Sequence, residues 1–157
     1  MKRRLALVAL LLAAVAVGAA CNNSTAVGPS PGQGVEWFTD FSEARELAMA
    51  ENKPMMINFY TSSCPACRKL DLFTFADENV SAFLNDNFVN VKSNAGTSLL
   101  HTMYDIQNAV PTTIFTTSDG TEMGRILGFY EAEVFREGAQ LALQHWEDNF
   151  KNGGQLG

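Results

Sequence analysis

The stretch that decides the fold runs from Met55 to Cys67, MMINFYTSSCPAC. Met55 to Tyr60 is a short, mostly apolar run whose length suits a buried strand better than a helix. Thr61-Ser62-Ser63 is turn-like, and two cysteines follow with Pro65 between them. Proline at a first helical turn costs no hydrogen bond and favours helix entry, so a helix is expected to open at Cys64. Cysteines two residues apart serve metal sites as well as redox sites, so the context must decide. Here unpaired N–H groups and the positive end of the helix dipole face Cys64 and favour its thiolate, the form that attacks a disulfide. Cys67, one turn further in, is expected to be less exposed and to resolve the mixed disulfide. Cys64 and Cys67 are therefore the candidate catalytic residues.

Upstream, Phe41, Ala44, Leu47 and Ala48 recur at helical spacing over Ser42 to Asn52, and Lys53-Pro54 is a natural stop. Downstream, Arg68 to Phe75 carries Leu70, Leu72, Phe73 and Phe75, and Asp77 opens a second helical piece in which Val80, Phe83 and Leu84 share a face. Phe88 to Lys92 (FVNVK) alternates as a half-buried strand does, and Ser98 to Asp105 reads as a short helix with Leu99, Leu100, Met103 and Tyr104. Thr112 to Thr117 is rich in β-branched residues, Ser118-Asp119-Gly120 is a turn signal, and Glu122 to Leu127 returns as the second strand of a hairpin. Glu131 to Phe150 is a long helix with a stripe of Val134, Phe135, Leu141, Ala142, Trp146 and Phe150. The order αβ(αα)βαββα, without internal repeat, predicts an α/β fold. Phe73, Phe75, Phe83 and Phe88 read as core, His145 and Trp146 as helix-face residues.

The 157 residues divide unevenly. Residues 1–20 read as a signal peptide: basic Lys2, Arg3 and Arg4, an apolar run from Leu5 to Val17, then Gly18, Ala19 and Ala20. That run is shorter than the roughly 20 residues a spanning helix needs. Cys21 then resembles the lipidated cysteine of a bacterial lipobox, although Gly18 stands where a large aliphatic is usual. Lipidation of Cys21 also leaves Cys64 and Cys67 as a closed pair among three cysteines. Residues 21–34, short of large apolar side chains and rich in Gly, Pro and Ser, read as a lipidated cysteine plus flexible linker. The folded domain is expected over 35–152, with a tail at 153–157.

Without Lys2, Arg3 and Arg4 the chain has 8 basic against 17 acidic residues, a net charge of −9. Nucleic acid is excluded as a partner, and any membrane attachment must come from the lipid on Cys21 rather than from a basic face. No Gly-rich phosphate loop or zinc-type pair of cysteine pairs is present, so no cofactor or metal is expected.

The run from Trp37, WFTDFSEARELAMAENKPMMINFYTSSCPAC, with Val110-Pro111-Thr112 downstream, resembles the exported thioredoxin-like proteins related to the C-terminal domain of the bacterial thiol:disulfide interchange reductase. The resemblance spans about Val35 to Phe150. It implies a thioredoxin-like fold, a central mixed sheet flanked by helices, with a cis-proline loop facing the helix that starts at the cysteines. It also implies a cis Val110–Pro111 bond and substrate binding through Val110 and Pro111. The implied activity is thiol–disulfide exchange, with reduction of partner disulfides favoured. The implied setting is a monomer in the periplasm or another extracytoplasmic space, held to a membrane by lipid, acting on exported disulfide-bearing proteins such as cytochrome c apoproteins or sulfur-metabolism enzymes. A membrane thiol reductase would supply electrons.

Two positions depart from the family pattern. Ser63 replaces a common Trp before the first cysteine, and Asn58 stands six positions before that cysteine, where thioredoxins have a buried acid. An amide cannot relay a proton. Arg68 and Lys69 read as solvated helix surface. Two alternatives stay open on the residues alone. Cys64 and Cys67 could hold Cu(I) with His101 and Met103 as further ligands, or they form a structural disulfide in a redox-inert lipoprotein, where so small a loop stabilises little.

Overall fold

The computed structural model describes residues 34–107 and 109–151. The expected signal peptide, Cys21, and nearly all of the expected linker and tail lie outside the described residues. Four strands form one sheet, β1 (Met55–Tyr60), β2 (Val89–Asn94), β3 (Thr112–Thr116) and β4 (Glu122–Leu127), in the order β2-β1-β3-β4. β1 pairs with β2 in parallel and with β3 antiparallel, and β3 and β4 form the expected hairpin. The helices are α1 (Phe41–Glu51), α2 (Pro65–Lys69), which continues as a π-helical turn over Leu70–Thr74, α3 (Glu78–Asn87), α4 (Leu100–Met103) and α5 (Ala132–Asn149). This is the thioredoxin-like α/β architecture: a mixed sheet flanked by helices.

Local chemistry explains the boundaries. The Asp40 carboxylate accepts from the N–H groups of Ser42 and Glu43, and the Asp77 carboxylate from those of Asn79 and Val80, so both helices start on a side-chain cap. α1 ends at Asn52, whose left-handed φ of 49° closes the last turn before Pro54. Two apolar layers then sandwich the sheet. Met56, Leu70, Phe75, Val80, Leu84, Phe88, Phe115 and Phe135 fill the face under α2, α3 and α5. Ala44, Ala48, Ile57, Val91, Tyr104, Ile106 and Ile114 fill the face under α1 and α4.

Several expectations need correction. β2 is buried on both faces rather than half-buried: Asn90 is buried with Val89 and Val91 and donates to Leu84 O and Asn85 Oδ1. Phe73 is 59% exposed and lies outside the core, as does Leu72. Leu70 and Phe75 take the inner positions, and a helical turn cannot also face Leu72 and Phe73 inward. Leu99 at 84% exposed and Met103 are likewise outside the packing assigned to them; Tyr104 alone of that group is buried. In α5 the buried line is Phe135, Ala139 and Trp146, whereas Val134 and Leu141 face solvent and Phe150 is partly exposed.

Phe135 is wholly buried and stacks edge-on against Phe75, with ring centroids 5.2 Å apart. Phe135→Ala should therefore destabilise the chain by about 3–5 kcal/mol, measured by urea denaturation; a loss within experimental error would contradict the packing described.

Candidate active site

The site is built where β1 ends. Tyr60 O accepts from Ala95 N and Thr61 O from Cys64 N, so the chain turns at Thr61 to Ser63 and enters α2 at Pro65. Cys64 is the N-cap: its backbone is extended and its sulfur accepts from the Cys67 N–H at 3.0 Å. Cys64 and Cys67 are joined as a disulfide, with Cα atoms 5.3 Å apart. Cys64 keeps 8% of its surface in solvent and Cys67 3%, which orders their access as expected.

The Val110–Pro111 bond is cis, and the loop leading into β3 lies against the pair: Cys64 Sγ is 3.6 Å from the Val110 carbonyl oxygen. The loop is fixed from both sides. Pro111 O accepts from Gly128 N, and the Thr112 hydroxyl donates to Ala109 O. Pro111 is buried while Val110 is half-buried, so part of Val110 stays reachable beside Cys64. Sequence reasoning thus placed four residues, Cys64, Cys67, Val110 and Pro111, and the fold gathers Cys64, Cys67 and Val110 into contact.

Asn58 is 1% exposed, and its amide donates to Thr113 Oγ1 at 2.9 Å, as a hydrogen-bonded core amide does. Its register partner across β2 is Lys92. That lysine was not singled out from the sequence. Its ammonium pairs with the Asp71 carboxylate and sits over the rings of Phe75, Tyr60 and Trp37, at 5.0, 5.4 and 4.7 Å from their centroids. Burial lowers its pKa from the ordinary lysine range, opposed by the hydrogen bond and the charge of Asp71. The FVNVK alternation carried the signal, because it puts Lys92 on the same face as Phe88 and Asn90. Elsewhere, His101 is engaged with its own helix turn through Ser98 O. Among the described residues no group of three or more His, Cys, Asp or Glu is placed to hold a metal ion, and no helix is long and apolar enough to cross a membrane.

Chemically, the arrangement supports exchange at sulfur. In the reduced protein the N–H that now meets the Cys64 sulfur would stabilise a Cys64 thiolate. The adjacent Val110 carbonyl leaves one side of that sulfur bounded by backbone.

Comparison with known proteins agrees with this geometry. Residues 41–141 match the family model of the thioredoxin-like domain. The thiol:disulfide interchange protein DsbD of Salmonella typhi is 32% identical over 107 residues, covering 62% of this chain and 19% of that protein. The chain therefore spans about a fifth of the length of the curated relatives it matches. Among solved structures, a thioredoxin from Thermus thermophilus superposes with a TM-score of 0.61 at 26% identity, over 71% of this chain and 90% of that one. The oxidised C-terminal domain of Neisseria meningitidis DsbD has the same fold, with a TM-score of 0.56 at 20% identity over 68% and 99% of the two chains.

Replacing the core amide by an acid tests how dry this position is. In Asn58→Asp the buried carboxyl should have a pKa above its unfolded value of about 3.9. The neutral form is then favoured in the fold, so the variant should match the parent most closely below pH ~4 and lose stability as pH rises above that value. Thermal unfolding of both proteins from acid to neutral pH checks it. A difference that does not grow with pH would mean that Asn58 is solvated.

Proposed function

This chain belongs to the thioredoxin-like domain family and carries a thiol–disulfide oxidoreductase domain, and on that premise we propose that it reduces disulfides of exported proteins through Cys64 and Cys67. The observation that carries the proposal is the Cys64 sulfur held by the Cys67 N–H at a helix start, beside the carbonyl of Val110. In the forward direction the Cys64 thiolate attacks one sulfur of a partner disulfide. A Cys64–partner bond forms, and the partner's other sulfur leaves as a thiolate. Cys67, once deprotonated, attacks the Cys64 sulfur, closes the Cys64–Cys67 disulfide and releases the partner's second thiolate. Two electrons pass to the partner, and the described structure corresponds to the oxidised product. A dithiol donor resets the pair by the reverse exchange.

Val110 and Pro111 are the proposed substrate-binding residues, with the Val110 backbone offered to an extended segment of the partner next to Cys64. The Asn58 amide does not titrate and cannot relay a proton, so deprotonation of Cys67 falls to water or to the departing partner thiolate. Export by residues 1–20 and tethering through lipid on Cys21 are part of the same proposal. They are supported by the sequence pattern and by the net charge of −9, which leaves lipid as the means of attachment. The proposed electron donor is a membrane thiol reductase.

Replacing Cys67 by Ala should stop the reaction at its first intermediate and accumulate partners on Cys64 as mixed disulfides, separated on non-reducing gels and released by reductant. Cys64→Ser should capture nothing and reduce no disulfide above background. Equal capture by both variants would contradict the assigned order of attack.

A further inference from the structure

The charges of this domain are unevenly committed. Of its eight Lys and Arg residues, Lys53, Lys92, Arg125, Arg136 and Lys151 are each paired with a carboxylate. Arg45 reaches across to the backbone of Asp119. Arg68 and Lys69 alone are adjacent, exposed and without a carboxylate partner among the described residues, and they occupy the turn that follows Cys67. The Arg68 guanidinium donates to Ser62 O, at 3.4 Å. The nearest acid in sequence, Asp71, is engaged by Lys92. In a body carrying 17 acidic residues, the cysteine pair therefore sits beside a local cationic spot.

The next turn adds apolar surface. Leu72 is 67% and Phe73 59% exposed. They point outward because the wide π turn is anchored at both ends: Phe75 N donates to Leu70 O, both residues are buried, and the Thr74 hydroxyl donates to Tyr130 O at 2.6 Å. Adding Leu72 and Phe73 to the core would require breaking those anchors. Arg68 precedes Leu72, and Lys69 precedes Phe73, by four residues, so cations and apolar groups are stacked as neighbours along one exposed strip.

Distance makes the strip relevant to catalysis. Phe73 lies nine positions after Cys64, at most about 14 Å along the axis even at the α-helical rise of ~1.5 Å per residue. A standard protein interface of ~800 Å² per partner, drawn as a disc, has a radius of about 16 Å. A partner whose sulfur meets Cys64 therefore covers this strip whenever its footprint extends along α2. We infer that Arg68, Lys69, Leu72 and Phe73 form a docking strip for a disulfide-bearing protein whose segment beside the reactive cysteine is acidic and carries an apolar side chain. Charge complementarity selects that chemistry: two uncommitted cations attract carboxylates, while the remaining negative surface repels an acidic partner in any other orientation. This inference rests on the thiol-exchange reading above and names the partner chemistry of that site.

The test uses the reduced full chain and three cyclic disulfide peptides that differ only in the flank beside one cysteine: Phe-Glu-Glu, Phe-Lys-Lys and Ser-Glu-Glu. Each peptide rate is divided by the rate on hydroxyethyl disulfide, a small neutral probe that reports the cysteine pair itself. At low salt the parent should reduce the Phe-Glu-Glu peptide about tenfold faster than Phe-Lys-Lys, with the ratio falling as salt is added. Arg68→Gln with Lys69→Gln should bring that ratio to near one. Leu72→Ser with Phe73→Ser should instead erase the preference for Phe-Glu-Glu over Ser-Glu-Glu. Equal normalised rates for all peptides with the parent, or preferences that survive both double variants, would overturn the docking strip while leaving thiol exchange intact. A parent that fails to reduce hydroxyethyl disulfide would overturn both readings together.

Discussion

The site depends on one contact, the Cys67 N–H directed at the Cys64 sulfur. It exists because a strand buried on both faces delivers the chain to a helix start at a fixed height above the sheet, and proline at the first helical position leaves that start without a wasted donor. Moving the helix start by one residue would send the N–H groups elsewhere and leave the pair with two ordinary thiols. The apolar filling of β1, Met55 to Phe59, is in this sense the foundation of the sulfur chemistry, since it fixes where Tyr60 ends and the turn begins.

A second constraint comes from the polar groups placed inside that filling. The thioredoxin pattern puts an acid where this chain has Asn58, and the amide is satisfied by Thr113 instead of titrating. The neighbouring strand supplies a charge at the register partner, Lys92, but its ammonium is committed to Asp71 and to three aromatic rings. The result is a sheet face that holds charge without an acid of its own beneath α2. Under the proposed function, proton traffic at Cys67 would be left to solvent and partner, coupling turnover to how a partner covers the site. Beyond Cys67, the π turn then decides which side chains that partner meets.

Much of this was legible in the sequence because the signals were local. The strand-turn-helix run around the cysteines, the helix start at Asp77 and the hairpin across Gly120 each sit within a few residues of their own cause, whereas the cis bond at Val110–Pro111 was carried by the family resemblance. What escaped was non-local. FVNVK looks half-buried until the end of α3 is seen bonded to Asn90, and Trp37, Phe75 and Asp71 gathered around Lys92. Leu72 and Phe73 look like core until Leu70 and Phe75 are found anchoring a turn wider than an α-helix. The ion pair of Asp71 with Lys92 joins residues on different elements, and no spacing along the chain announces it.

The central claim is that the helix start holds Cys64 as a thiolate ready to attack, and the most direct measurement is the ultraviolet absorbance of thiolate during a pH titration of the reduced chain. The account predicts one thiolate forming below the free-thiol value of about 8.5, absent in Cys64→Ser and retained in Cys67→Ala. Two cysteines that titrate together at or above that value would contradict it.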